Sequence, residues 1–262
     1  MIHVAFAEQI ERFSDLKVLL IVGTLVLAGT VKGGIGFGMP LVAVSVLANF
    51  IDLRLAAVLM ICPIILSNFW VGIEGGQFWE MLKRYWMVVV SLGIGIFAGS
   101  RILINVDQHI VLAIVGAVVV IFAVIEQFKT RLRPKIPEHL TRPLGVAAGL
   151  AGGLIGGLST VFGPPLIMYL ASLRLPKDSF VRSNSVISFF GSGFLAIAFA
   201  NARLLTTRTG TLSVLCVLPV FAGVYVGRWL RTRADQIIFE RVVACALLLL
   251  GLSLIRRSLL NV

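Results

Sequence analysis

Charge is scarce in this 262-residue chain: Asp, Glu, Lys and Arg make up 13% of it, and only 12 residues are acidic. A soluble domain carries about 25% charged and about 45–50% apolar residues, whereas here the hydrophobic share is 58%. That excess of apolar surface excludes a water-soluble globule. Cysteine is scarce too. Cys62, Cys216 and Cys245 all fall inside apolar stretches without metal-ligand spacing, which argues against a disulfide framework or zinc site and leaves them as packing residues. The three histidines, His3, His109 and His139, lie in terminal or loop positions. There is no HExxH-like pair, paired carboxylate set or nucleophile elbow, so we read a non-enzyme with no catalytic residue, bound metal or cofactor. The first seventeen residues lack a basic start followed by an apolar run, and no cleavable signal peptide is expected.

What the chain has in abundance is apolar runs close to the roughly 20 residues that cross a 30 Å hydrocarbon layer as helix. Residues 55–73, 85–104, 109–128, 180–200, 210–230 and 236–255 read as spans. Two longer apolar segments, 18–48 and 143–173, are interrupted by Gly and Pro. A net charge of +11 raises the question of nucleic acid, but the basic residues sit in loops between spans, where the positive-inside bias accounts for them. The densest cluster, Lys129, Arg131, Arg133, Lys135 and Arg142 against Glu138, places the central loop in the cytoplasm. The partners expected are therefore a lipid bilayer and a small solute, not a nucleic acid.

The two halves of the chain resemble each other. Gly38-Met39-Pro40-Leu41 matches Gly163-Pro164-Pro165-Leu166 at an offset of 125, while Gly95, Gly99 and Asp107-Gln108 match Gly223, Gly227 and Asp235-Gln236 at an offset of 128. The fold expected is an all-α polytopic membrane protein of two homologous repeats, each a broken segment followed by three transmembrane helices. Residues 1–128 form the first repeat, 129–142 a basic linker and 143–262 the second repeat. The glycine pairs, four residues apart, suit close helix contact. Asp107 and Asp235 directly precede apolar spans and suit helix capping, with proton coupling as the other reading.

The broken segments carry the candidate site. Gly33, Gly34, Gly36 and Gly38 precede Pro40 in the first, and Ser159 and Thr160 precede Gly163, Pro164 and Pro165 in the second. Gly costs about 1 kcal/mol and Pro about 3 relative to Ala in a helix, so both segments should unwind. Unwound backbone at membrane depth is tolerated only against protein or a water-lined cavity, and paired breaks in corresponding places point to a midplane substrate site. Helix starts near Met39 and Pro165 would present free N–H groups and a positive dipole end to an anion. Lys32 adds a full positive charge with no carboxylate in the surrounding run, reading either as an anion contact or gate, or as a snorkelling side chain. Close packing is the competing reading of the glycines.

Ser185, Ser188 and Ser192 share one helical face with Asn184 beside it, and Ser67 with Asn68 stands in the corresponding span. These line the same cavity or bond back to their own helix. Arg182, near a helix start, is a substrate contact or snorkels. Glu74, Glu126, Asp178 and Glu240 lie at or near span ends, which disfavours a cation site built from intramembrane carboxylates. A coupling proton stays open, as does the oligomeric state.

The stretches VKGGIGFGMPLVAVSVL and GGLIGGLSTVFGPPLIMYLASLRLPKDSF, with four segments per half, resemble the sulfite exporter TauE/SafE family of membrane permeases over roughly residues 17–256. The LPKDSF continuation, Leu175 through Phe180, is the more specific element. The family pattern leads one to expect a further glycine near Thr160 or Val161. The resemblance implies export of sulfite, sulfoacetate or a related organosulfonate across a bacterial cytoplasmic membrane. A proton- or cation-coupled carrier of another solute and a non-catalytic membrane scaffold are the alternatives. If each broken segment crosses once, 13 basic residues face 9; if each folds back as a hairpin, 14 face 8. Hairpins make the repeats inverted, the arrangement suited to alternating access and the one favoured here.

Overall fold

The computed structural model describes residues 15–128, 137–231, 233 and 236–259. Among these residues every regular element is helical. In the first half the helices are α1 (Asp15–Ile35), α2 (Met39–Leu47), α3 (Leu53–Leu59), α4 (Ile61–Ile73), α5 (Phe78–Asn105) and α6 (Gln108–Phe128). In the second they are α7 (Glu138–Ser159), α8 (Gly163–Ser172), α9 (Lys177–Asn201), α10 (Thr207–Leu215), α11 (Val217–Arg231) and α12 (Gln236–Leu259).

Among the described residues, five stretches are long and apolar enough to cross a membrane: Asp15–Ile35, Leu53–Ile73, Phe78–Leu103, Asp178–Asn201 and Thr207–Leu230. The expected spans 55–73, 180–200 and 210–230 fall within three of them and 85–104 matches a fourth to within one residue, while α6 and α12 run where 109–128 and 236–255 are expected. The basic cluster from Lys129 to Lys135 lies outside the described residues, as do His3 and Asp235. Asp107 stands exposed just before α6. Large apolar side chains such as Leu218, Tyr225 and Leu249 cover the outside, while Ser, Thr, Asn and Lys32 are buried inside, the distribution of a helical bundle solvated by lipid.

Two expected spans are each interrupted once, for a common reason. Proline has no N–H and its ring clashes with the carbonyl four residues back. Pro63 therefore separates α3 from α4 at Met60, and Pro219 separates α10 from α11 at Cys216. The carbonyl that Pro63 leaves unpaired is that of Leu59. Ser213 of α10 donates its hydroxyl to that oxygen at 3.0 Å and accepts the Cys62 N–H at 3.0 Å, so a side chain from the other half repairs the break.

The longest contacts are built on glycine. Gly29 and Gly33 of α1 lie directly on the backbone of Val220 and Val224 in α11, and Gly223 and Gly227 lie on Val26 and Thr30 in return. Gly95 and Gly99 of α5 meet Gly153 and Gly157 of α7 in the same manner. A methyl group at any of these positions would overlap a backbone atom, so the helices approach as only small residues allow. In both pairs the contacts advance in the same direction along the two chains, so the helices run parallel. The first broken segment thus packs on the second half, and the second broken segment on the first; α6 packs on α12 and α4 on α9.

At one end of the bundle Arg54 donates to the carbonyls of Leu103 (2.9 Å) and Val106 (3.1 Å), Ser258 donates to His109 (2.6 Å), and Arg257 reaches Ala48. At the other end Arg228 meets Glu74 and Arg182 approaches Gln77.

Candidate functional site

The first break lies between α1 and α2. Gly36 takes φ 93°, a left-handed conformation that ends α1 while its N–H still reaches the Lys32 carbonyl at 2.7 Å. Gly38, at φ 87°, then caps α2, with Pro40 in its first turn. The second break has the same outline in different residues. Thr160, at φ 62°, is the left-handed residue after α7, and its N–H reaches the Gly156 carbonyl at 2.7 Å. The glycine expected near this position is thus replaced by a threonine held in a conformation that costs an L-residue about 1–2 kcal/mol. Its hydroxyl donates to the Ser159 carbonyl at 2.5 Å, and the Ser159 hydroxyl donates to Ile155 (2.8 Å) while accepting from the Val161 N–H (3.2 Å). Gly163, with Pro164 and Pro165, opens α8.

α2 and α8, with 9 and 10 residues, extend about 14 and 15 Å at 1.5 Å per residue, half of a hydrocarbon layer. Each packs back on the helix before it, and Gly145 of α7 lies against the Tyr169 ring of α8. The two breaks face one another across a small cavity of about 40 Å³. Phe37, Gly38 and Pro40 line one wall, Thr160, Phe162, Gly163 and Pro164 the opposite wall, and Asn68, Asn184 and Ser188 stand between them.

Lys32 is 6% exposed and lines this cavity from the last turn of α1. Its ammonium donates to the Ser67 hydroxyl at 2.9 Å and the Asn68 amide oxygen at 2.5 Å. Ser67 in turn donates to the Pro63 carbonyl at 2.5 Å, so α4 orients both partners. Among the described residues no carboxylate pairs with Lys32. Burying a cation without a counter-ion is costly, and an ammonium has three donors; the two neutral partners satisfy part of its need.

Lys32, Gly33, Gly36 and Ser67 also line a second, wider cavity of about 490 Å³. This vestibule extends to Glu74, Asp178, Arg182 and Arg228 at the end of the bundle where α4 and α11 finish.

Other expected site residues are placed elsewhere or differently. Gly33 is pressed on α11 while it also lines the vestibule, Gly34 packs beside Gly227, and neither lines the central cavity. Ser159 stabilises the break with both of its hydroxyl bonds. Pro165 is absent from the cavity wall, and Arg182 belongs to the vestibule. Gly163 does not adopt positive φ, unlike Gly38, so its backbone has no need of glycine on that ground. Prolines carry no N–H, which leaves Met39 and Leu41 as donors in the first turn of α2 and Gly163 alone in that of α8. The helix starts therefore offer fewer amide donors than the repeat suggests. Ser192 bonds back to Phe189 at 2.8 Å, and Ser185 is buried.

The aromatic walls were missed by the sequence reading, although a signal exists. Phe37 and Phe162 sit immediately before the matched glycines, at the same offset of 125. Their rings close the cavity beside the two turns.

Helix pairs exchanged between the halves, spans of membrane length and a buried cavity between two helix breaks define a polytopic α-helical membrane protein. The family model described as Sulfite exporter TauE/SafE matches residues 20–254, and the chain belongs to that family, whose members are membrane transporters of sulfur-containing anions. No curated protein and no solved structure matches it.

Proposed function

We propose that this protein exports a small sulfur-containing anion, sulfite, sulfoacetate or a related organosulfonate, across a bacterial cytoplasmic membrane by alternating access. The anion is held between the two breaks, against the Lys32 ammonium, the Thr160 turn and the amides of Asn68 and Asn184. One observation carries the reading: a buried lysine with two neutral partners opens into a cavity that has no acidic residue on its wall among the described residues. An anion supplies the missing counter-charge, and the dipoles of α2 and α8 add positive potential from both sides. A cation would meet that potential without a carboxylate to offset it.

We further propose that the repeats are inverted, each a hairpin plus three crossings. The short return arms of α2 and α8 support this, as do the contacts of Arg257 with Ala48 and of Ser258 with His109, which only hairpins bring to one side of the membrane. In that arrangement the vestibule opens at the end that carries the central linker, where 14 basic residues face 8, so it faces the cytoplasm. A cavity reached from the cytoplasm suits export.

Reconstituted in liposomes and assayed with sulfite, sulfoacetate and the zwitterion taurine beside sodium and potassium, the protein moves only the anionic species; selective cation flux refutes the reading. Cysteines placed at the N-terminus and at Asp52 should be labelled from one and the same side of the membrane. Labelling from opposite sides eliminates the hairpin arrangement.

A further inference from the structure

The vestibule holds charged groups that the central cavity does not use. Arg228 of α11 and Glu74, just beyond α4, form an ion pair at 2.9 Å, each close to half exposed. Glu74 is followed by Gly75 and Gly76, which turn with φ 87° and 73°. Gly75 lies so close to the Arg182 guanidinium that a methyl group there would overlap it, and Arg182 also approaches Gln77 Oε1 at 3.5 Å. One left-handed turn thus sets both arginines at the wall of the vestibule, with Lys32 on that wall and on the wall of the central cavity.

We infer that Arg182 and Arg228 form an outer receiving site for the transported oxyanion, in which Glu74 occupies Arg228 as a tethered carboxylate that the anion displaces before it reaches Lys32. This rests on the anion-transport reading above. An exposed ion pair is weak, so a sulfite or sulfonate group with three acceptor oxygens competes for the same guanidinium fork. Three cations, Lys32, Arg182 and Arg228, outnumber the two carboxylates, Glu74 and Asp178, on the vestibule wall, and a low-dielectric cleft of one prevailing sign concentrates the opposite ion. Glu74 makes the site selective by occupancy: an uncharged solute does not release the carboxylate.

The test is the half-saturating concentration of radiolabelled sulfite, measured from the vestibule face in inverted membrane vesicles and from the other face in oppositely oriented proteoliposomes. Glu74→Gln should lower it, and Arg228→Gln and Arg182→Gln should raise it, by roughly two- to fivefold, the scale of an exposed ion pair. Both shifts should appear on the vestibule face alone. A purely structural clamp predicts the opposite pattern. Glu74→Gln and Arg228→Gln would then change the value in the same direction, reduce the folded protein recovered in detergent, and be rescued together by the Glu74→Arg, Arg228→Glu exchange; that result overturns the inference. If wild-type protein moves sulfite but Glu74→Gln leaves its half-saturation unchanged, the receiving site alone is refuted. If wild-type protein moves no anion, the transport reading itself falls.

Discussion

The two helix breaks perform one geometric task with different chemistry. The first turns on two glycines, Gly36 and Gly38, both in the left-handed region, and has a lysine one turn before it. The second turns on a threonine in that region, is tied by the hydroxyls of Ser159 and Thr160, and has a glycine-rich helix where the lysine would be. Neither helix start can present a full set of amide donors, because Pro40, Pro164 and Pro165 occupy the first turns. The difference teaches that the fold requires the turn twice and the charge once. Geometry is repeated between halves; electrostatics is concentrated in one.

The sharpest way to test that division is to remove the charge. Lys32→Ala should lower transport per correctly inserted molecule by roughly 10- to 100-fold, the range for losing a buried hydrogen bond to a charged group. Lys32→Arg, which keeps the charge but must fit its larger fork beside Ser67 and Asn68, should fall between. Normal substrate affinity in Lys32→Ala would remove this residue from the site.

A smaller effect separates the two glycines that the repeat aligns. Gly38→Ala should destabilise the protein by about 1–2 kcal/mol, since a Cβ at positive φ meets its own carbonyl. Gly163→Ala meets only the end of the Ile167 side chain, at 3.3 Å, and should cost well under about 1 kcal/mol. Thermal unfolding in detergent measures both; equal losses would mean that the two turns are not different in kind.

The smallest expected change is a gain. Thr160→Gly relieves the left-handed strain and should raise the unfolding temperature by about 2–4 °C, as expected of about 1 kcal/mol in a chain of this size. A fall in stability would show that the hydroxyl bonds of the second break outweigh its backbone strain.

Much of this was legible in the chain itself. Apolar runs located the spans, because the bilayer thickness fixes helix length, and Gly/Pro clustering located both breaks to within a few residues. The kinks at Met60 and Cys216 were less visible, since Pro63 and Pro219 sit in otherwise continuous apolar runs and their repair depends on Ser213.

Sequence alone determined that this protein lies in a membrane, that its family is the sulfite exporter TauE/SafE family, and that helix must fail at residues 36–38 and 160–162, for those outcomes follow from local composition and backbone preference. Tertiary structure decided what the broken helices face. Gly33 packs on α11 rather than lining the central cavity, Arg182 belongs to the vestibule, and Lys32 finds Ser67 and Asn68 some 35 positions away. Such pairings depend on which helix lies beside which, and helices of similar composition carry no local record of their neighbours.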